Sequence, residues 1–194
     1  MHEYDLIAEW YAGDRGHQAG VPEAEALAAS LRRGALVLDA GCGNGIPLTR
    51  ALVAAGCRVF GVDSSSAMLE RFRKNLPDVP AVCAQIETVD FGGRTFDGAI
   101  AWGIIFHLTL DRQRQAIANI AGALEPGAPF LFTSGDAAGD DPAGITGQMN
   151  GVTFHYYSYG AESYRRLLAE FGCTLEHTHR DAGENMYYLA RKHA

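Results

Sequence analysis

The sequence predicts one α/β domain built on a doubly wound, mostly parallel β-sheet. Three observations support this fold class. A length of 194 residues suits a single domain. Short apolar runs typical of buried strands alternate with segments of helical periodicity. A glycine-rich turn follows the first apolar run directly, at the place where open α/β sheets bind their ligands.

Seven apolar runs are predicted as strands, and five helical segments lie among them. The strands cover residues 36–38, 59–62, 81–83, 96–101, 130–132, 173–179 and 185–191. The helices cover the segment between Pro22 and Gly34, residues 46–55, residues 65–74, a segment capped by Asp111 that runs to Leu124, and residues 161–171. Residues 135–153 are rich in Gly, Asp and Pro, so they are predicted to form a long loop over a site. A short link containing Gly183 is expected to close a hairpin of the last two strands.

Composition argues against several classes of partner. Sixteen basic and 23 acidic residues give a net charge of −7, which disfavours a general nucleic-acid binder. The chain has no block of basic residues and no apolar stretch of the roughly 18 residues that a membrane span needs. Four cysteines form no Cys-x-x-Cys pair and follow an acidic, polar N-terminus. We therefore expect a cytoplasmic protein without a membrane or nucleic-acid partner.

The segment after the first strand carries the most information about function. It reads Asp39-Ala-Gly-Cys-Gly-Asn-Gly, with glycines at 41, 43 and 45. Dinucleotide-binding proteins have G-x-G-x-x-G here, but position 46 is Ile. A carboxylate at Asp39 is unfavourable beside a pyrophosphate and favourable beside a cation. This pattern therefore favours a ligand that carries an amino-acid or sulfonium group.

A second carboxylate lies at the end of the second strand. Asp63 comes 20 residues after Gly43, which is the spacing at which an acidic residue accepts the hydroxyl groups of a ribose. Both oxygens of a carboxylate can accept hydrogen bonds, so a vicinal diol can bind it in bidentate fashion. Helix capping by Asp63 is a further role compatible with its position.

Four motifs together resemble the class I S-adenosylmethionine-dependent methyltransferase family, in its small-molecule branch. They are the Asp39–Gly45 segment, Val62-Asp63-Ser-Ser, Phe96-Asp97-Gly-Ala-Ile and Leu124-Glu125-Pro126-Gly127. The resemblance implies a Rossmann-like sheet of seven strands with the last strand reversed. It also implies N-terminal lid helices over residues 1–34 and a methyltransferase domain over residues 35–194. The implied reaction is methyl transfer from S-adenosylmethionine to a small acceptor.

The resemblance also implies individual roles at the cofactor. The implied cofactor-binding residues are Tyr11, Asp39, Gly41, Cys42, Gly43, Asn44, Gly45, Asp63, Ser64, Met68, Gln85, Ile86, Trp102 and Gly103. Asp39 would bear on the amino group and Asp63 on the ribose, while Trp102 and Gly103 would form a floor under the sulfonium. Gln85 replaces an acidic residue that the family often has there. Simple core packing is the alternative for Met68, Trp102 and Tyr11.

Acceptor contacts are expected from three further residues. His107 is the candidate general base because histidine titrates near neutrality, and a core histidine bonded to the backbone is the alternative. His155 and Tyr157 are the other candidates. Arg15 and His17 could reach the site from the lid. No metal site is predicted, because His177 and His179 have no third ligand at a recognisable spacing.

Two other functions stay open at this point. One is a non-catalytic protein of the same fold that binds the cofactor. The other is an NAD(P)-dependent oxidoreductase, against which the missing third glycine counts. The sequence does not reveal the acceptor or the oligomeric state.

Overall fold

A computed structural model describes residues 3–14, 19–135, 138–180 and 186–194. The helices are α1 (Glu3–Asp14), α2 (Val21–Ala29), α3 (Leu48–Ala54), α4 (Ser66–Asn75), α5 (Leu110–Gly122) and α6 (Ala161–Glu170), with a short 3-10 helix at Ile105–His107. The strands are β1 (Leu36–Ala40), β2 (Arg58–Asp63), β3 (Ala81–Cys83), β4 (Gly98–Ala101), β5 (Pro129–Ser134), β6 (Asp141–Met149), β7 (Val152–Ser158), β8 (Cys173–Arg180) and β9 (Met186–Lys192). Arg15, His17 and Gly183, named above, lie outside the described residues.

The main sheet confirms the predicted fold class. Its seven strands run in the order β3-β2-β1-β4-β5-β9-β8, and β9 is antiparallel to both of its neighbours. The alternation of side chains along β1 explains why helices cover both faces. Leu38 and Ala40 lie in the cluster that contains α5 and α6, whereas Val37 lies in the cluster that contains α2. The sheet is therefore doubly wound, as expected.

The segment after β5 differs from the prediction. Most of the expected loop over residues 135–153 belongs to an antiparallel pair, β6 and β7, which forms a separate two-stranded sheet. Strand β6 contains Pro142, Gly144 and Gly147 and has no fully buried side chain, so it lacks the apolar alternation by which strands are recognised. The pairing with β7 determines its conformation instead.

Helix α5 also differs from the prediction in its two ends. It begins after Thr109, whose backbone is not helical, and Asp111 lies in its first turn rather than at the cap. Leu124 lies beyond its end, in an isolated parallel bridge with Phe96, which precedes the central strand β4. Leu124, the last residue of the predicted helix, thus belongs to the core but not to the helix.

The two N-terminal helices have different roles in the structure. Helix α1 contacts α4 and β7, whereas α2 contacts α3. Ala24, Leu27 and Ala28 of α2 are buried in one cluster with β1 and β4. Helix α2 therefore shares a hydrophobic core with the sheet, and the division between residues 34 and 35 stays a prediction. Among the described helices, none combines the length and the apolar character that crossing a membrane would require.

Candidate active site

Two adjoining cavities lie beyond the carboxyl ends of β1, β2 and β4. The larger has a volume of about 340 Å³ and the smaller about 50 Å³. Tyr11, Gly41, Gly43 and Trp102 line both cavities and thus form the wall between them. The larger volume lies within the range of small-molecule and cofactor sites.

The structure brings nearly all of the sequence-predicted residues to these cavities. Those at the larger cavity are Tyr11, Gly41, Gly43, Asp63, Ser64, Met68, Gln85, Ile86, Trp102, Gly103, His107, His155 and Tyr157. The smaller cavity adds Asp39, Cys42 and Asn44. Gly45 lines neither of them: a Cβ there would lie 2.6 Å from Leu76 and 3.0 Å from Phe72. Gly45 thus packs the turn closely against α4, and its implied contact with the cofactor stays a prediction.

Asp63 links the glycine turn to the start of α4. Its Oδ2 accepts a hydrogen bond of 2.8 Å from the amide of Gly43, and its Oδ1 accepts one of 2.8 Å from the amide of Ser65. Ser65 in turn caps α4, since its hydroxyl accepts from the amide of Met68. These two bonds orient the carboxylate in the wall of the larger cavity. The helix-capping role therefore belongs to Ser65, and Asp63 orients the residues around it.

Asp39 lies on the other side of the glycine turn and is almost completely buried. It shares the face of β1 that carries Val37, so it points at α3, where Thr49 donates a hydrogen bond of 2.5 Å to its Oδ2. Desolvation raises the pKa of Asp39 from 3.8 to about 7, although the Thr49 bond opposes this effect. The negative charge of Asp63 raises the pKa further. Asp39 is thus a carboxyl whose ionisation a nearby cation would strongly favour.

The glycines of the turn serve different purposes. Gly43 has a φ of +54°, and a Cβ there would meet nothing within 4 Å. It therefore leaves space beside the cavity for a ligand to approach the backbone. Gly41 has a φ of +78°, and a Cβ there would lie 1.9 Å from the side chain of Ile104. Gly41 is thus required by packing against the loop after β4.

Three other predicted residues contribute both packing and cavity wall. The thiol of Cys42 packs against Gly61, and burial raises its pKa well above the ordinary value. Met68 is almost completely buried but still reaches the larger cavity. Trp102 lies 6.1 Å from Tyr187, measured between ring centroids, and lines both cavities. These three side chains therefore pack in the interior and also line a cavity.

Helix α1 is fastened across the mouth of the larger cavity. Its Asp5 accepts hydrogen bonds from the Ser65 hydroxyl at 2.6 Å and from the Ala67 amide at 3.2 Å. Its Tyr4 packs edge-on against Phe154 of β7, with ring centroids 5.0 Å apart. The helix therefore joins the start of α4 to the β6–β7 hairpin, and its side chains Tyr4 and Tyr11 line the cavity.

One end of the larger cavity is rich in aromatic side chains. His107 lies 5.5 Å from Phe154 and 4.9 Å from Tyr156 between ring centroids. Its Nε2 is 3.0 Å from the hydroxyl of Tyr4, and its Nδ1 is 3.1 Å from the carbonyl oxygen of His155. This histidine is thus bonded to the backbone, as the core interpretation expects, and it also lines the cavity, as a base would have to.

Several residues of the cavity wall were not identified from the sequence. Tyr4, Phe154 and Ile104 line the cavity but carry no motif. Tyr4 belongs to the lid segment, so its position was the signal available for it. Arg112 also lines the cavity and pairs with the buried carboxylate of Glu87. Arg112 is the only lysine or arginine among the described residues of the wall, and Glu87 compensates its charge.

Comparisons with known proteins agree with this geometry. A family model described as a methyltransferase domain matches residues 37–127. The whole fold resembles that of the CcbJ methyltransferase from Streptomyces caelestis, with a TM-score of 0.77 and 20% identity over 99% of this chain and 98% of that one. Residues 37–127 of this chain thus form a methyltransferase domain. A methyltransferase from Burkholderia thailandensis that acts on 1,6-didemethyltoxoflavin is similar as well, with a TM-score of 0.74 and 24% identity over 99% of this chain and 87% of that one.

Curated methyltransferases share shorter stretches with this chain. The cypemycin N-terminal methyltransferase of a Streptomyces species is 31% identical over 79% of this chain and 61% of its own length. The malonyl-[acyl-carrier protein] O-methyltransferase of Enterobacter lignolyticus is 34% identical over 57% of this chain and 44% of its own length. A tRNA (carboxymethyluridine(34)-5-O)-methyltransferase of Arabidopsis thaliana is 29% identical over 74% of this chain and 34% of its own length. The chain thus spans between about a third and three fifths of these relatives.

Proposed function

We propose that this class I methyltransferase transfers a methyl group from S-adenosylmethionine to a small-molecule acceptor. The observation that carries the proposal is the cavity that runs from Asp63 and Gly43, past Trp102, to the aromatic end around His107. One continuous space of this kind accommodates a nucleoside donor at one end and an acceptor at the other. The methyltransferases that resemble this chain support it, and the Burkholderia thailandensis structure holds both S-adenosylhomocysteine and the compound it methylates.

The residues present fit a sulfonium nucleoside. Gly43 leaves room for a ligand next to the backbone, and the carboxylate of Asp63 in the cavity wall is a group that accepts hydrogen bonds from ribose hydroxyls. Asp39 lies in the adjoining small cavity, where its carboxylate would attract the amino group. Met68 and Ile86 would cover the adenine, and the Gln85 carbonyl is the acceptor available for its amino group. S-adenosylmethionine, when bound, supplies a methyl group that its positively charged sulfur makes electrophilic.

The protein would contribute alignment and exclusion of water. Helix α1 covers the larger cavity, and its first turn is held on two sides, through Asp5 and Tyr4. Aromatic rings near a sulfonium add cation–π attraction of about 1–2 kcal/mol when water is excluded. Holding a nucleophile in line with a reactive carbon is worth several orders of magnitude in rate.

The acceptor end favours a molecule with a flat or apolar body. Tyr4, Phe154 and Tyr157 contribute aromatic surface, and His155 adds a polar group at the rim. Arg112 is already paired with Glu87, so the described wall offers no uncompensated lysine or arginine for a strongly anionic acceptor. His107 would manage the proton of an oxygen or nitrogen acceptor.

Calorimetry with S-adenosylhomocysteine tests the donor site. We expect the wild-type protein to bind it and Asp63→Asn to bind it about 100-fold more weakly, since hydrogen bonds to a charged group contribute about 1.5–3 kcal/mol each. Asp90→Asn is the matched control, because Asp90 is an exposed carboxylate that also accepts a backbone amide, that of Gly92. Equal affinities in the two variants would refute the role of Asp63. Binding of NAD or NADP instead would favour the oxidoreductase.

A turnover assay tests the acceptor class. Release of S-adenosylhomocysteine is measured with a panel of small amines, phenols, carboxylates and thiols, and with tRNA as a separate arm. We expect turnover with at least one amine or phenol. Methylation of tRNA alone would overturn the small-molecule assignment. Tight binding without turnover on any arm would favour a non-catalytic cofactor-binding protein.

A further inference from the structure

Three chain segments meet at the imidazole of His107. The ring itself belongs to the short helix after β4, the hydroxyl of Tyr4 comes from α1, and the carbonyl of His155 comes from β7. The distances are 3.0 Å from the Tyr4 hydroxyl to Nε2 and 3.1 Å from Nδ1 to the carbonyl oxygen. A lid helix, a loop and a hairpin thus contribute to a single line of hydrogen bonds.

The partners of the ring determine which nitrogen carries the proton. A backbone carbonyl oxygen can only accept, so Nδ1 of His107 must be the donor to His155. In the neutral ring, Nε2 then has a lone pair, and the hydroxyl of Tyr4 donates to it. The neutral tautomer of His107 is therefore fixed by groups that lie 103 and 48 residues away in the chain.

Tyr4 lies beside His107 in the wall of the larger cavity. Both nitrogens of His107 have protein partners, and the phenolic oxygen of Tyr4 is a group that can accept a proton as it donates its own. Tyr4 lines the larger cavity, and its ring is held edge-on by Phe154 at 5.0 Å and by Tyr11 at 5.3 Å. We propose that Tyr4 is a catalytic residue that takes the proton of the acceptor and passes its own hydroxyl proton to His107.

The proton transfers balance without another reagent. The acceptor loses the proton on its oxygen or nitrogen to the oxygen of Tyr4, and the hydroxyl proton of Tyr4 moves to Nε2 of His107. The acceptor atom keeps the electron pair with which it bonds to the methyl carbon. The imidazolium that forms keeps its Nδ1 bond to the His155 carbonyl, which stabilises the positive charge. This role rests on the proposed methyl transfer, and it assigns the helix α1 a part in the chemistry.

Nitrogen-15 NMR of histidine-labelled protein with S-adenosylhomocysteine bound tests the arrangement without any acceptor. At about pH 8 the neutral ring predominates for an ordinary histidine. The His107 signals are identified by their loss in His107→Asn. We expect a protonated Nδ1 and an unprotonated Nε2 in the wild-type protein. In Tyr4→Phe the Nε2 signal should move downfield, because its hydrogen-bond donor is gone.

Tyr159→Phe is the matched control. It removes a tyrosine hydroxyl that is bonded to the Leu110 carbonyl and does not line either cavity. It should leave the His107 signals unchanged. A protonated Nε2 in the wild-type protein, or an identical Nε2 signal in Tyr4→Phe, would overturn the proposal.

The single-turnover rate on the fastest acceptor of the panel gives the second readout. We expect a loss of about 100-fold or more in Tyr4→Phe, which is typical of removing acid–base assistance, with unchanged affinity for S-adenosylhomocysteine. Tyr159→Phe should retain the wild-type rate. A wild-type rate in Tyr4→Phe would refute the proton path while leaving the methyl transfer intact. Absence of nucleoside binding in the wild-type protein would instead refute the proposed function.

Discussion

The buried carboxyl of Asp39 makes the stability of the protein depend on pH in an unusual direction. Its pKa is about 7 in the folded protein and 3.8 in an unperturbed chain. The protonated form is therefore favoured by folding, so this group stabilises the fold at low pH and the effect is lost as the pH rises through about 7. Complete ionisation costs about 4 kcal/mol, since each pKa unit corresponds to about 1.4 kcal/mol.

Asp39→Asn removes this cost while preserving the shape of the side chain. The amide oxygen of asparagine can still accept the hydrogen bond from Thr49. Between about pH 5 and pH 8, the free energy of unfolding of the wild-type protein should fall by about 2.5 kcal/mol relative to that of the variant. Urea denaturation of both proteins without ligand, at several pH values across this range, measures the difference.

An exposed carboxylate provides the control for this experiment. Asp78 lies on the surface, so the free energy of unfolding of Asp78→Asn should run parallel to that of the wild-type protein. A constant difference between Asp39→Asn and the wild-type protein would refute the reasoning, because it would mean that Asp39 has the same pKa in the folded and unfolded chains. A difference of the opposite sign would mean that the carboxylate is stabilised by its surroundings.

The remaining predictions concern the glycine turn, the core and ligand binding. Gly41→Ala should destabilise the fold by about 3 kcal/mol or more, because strain at positive φ adds to a collision with Ile104. Gly43→Ala should cost only about 1 kcal/mol of stability but weaken binding of S-adenosylhomocysteine at least about tenfold. Tyr164→Phe should lower the free energy of unfolding by about 1–3 kcal/mol, because the buried amide oxygen of Gln113 loses the hydroxyl that donates to it. In the wild-type protein, S-adenosylhomocysteine affinity should rise between about pH 5.5 and 7, by up to about tenfold per unit, because a cation favours ionised Asp39.

Each of these predictions has a matched comparison. Gly127 has a φ of +79° and open space where a Cβ would lie, so Gly127→Ala reports the conformational cost alone. Equal losses of stability in Gly41→Ala and Gly127→Ala would contradict the predicted collision with Ile104. Tyr159→Phe removes a hydroxyl that is less deeply buried than that of Tyr164, and it should cost less in urea denaturation. Affinity in Asp39→Asn should be independent of pH over the same range, and a parallel rise there would assign the effect to another group.

Local sequence patterns were sufficient to predict the main sheet. All seven predicted strands form within a few residues of their expected positions. The central strands β1, β4 and β5 are buried, and short apolar runs of this kind are recognised without distant information. Strands β6 and β7 were not predicted, because β6 is polar, contains a proline and two glycines, and is stabilised by pairing with its neighbour alone. Amino-acid composition alone does not distinguish a loop from an exposed hairpin.

The glycine motif shows a second limit of sequence reasoning. Its spacing predicted a ligand-binding turn, and the structure places the turn beside the cavity. The motif does not reveal which glycine leaves open space beside the cavity: Gly43 does, whereas Gly41 and Gly45 are required by contacts with Ile104 and with α4. Those contacts involve residues from other parts of the chain, so only the folded structure separates the two requirements.

Residue identity alone also gave an incomplete account of His107. Its type predicted a base, but the function of an imidazole depends on what each nitrogen meets, and Tyr4 and His155 become its partners only when α1 and the β6–β7 hairpin close over β4. The packing of α1 and the hairpin that covers the cavity therefore also orients the imidazole of His107. A protein in which α1 is displaced would lose the donor to Nε2 as well as the exclusion of water, so donor binding that fastens α1 would prepare the proton path at the same time.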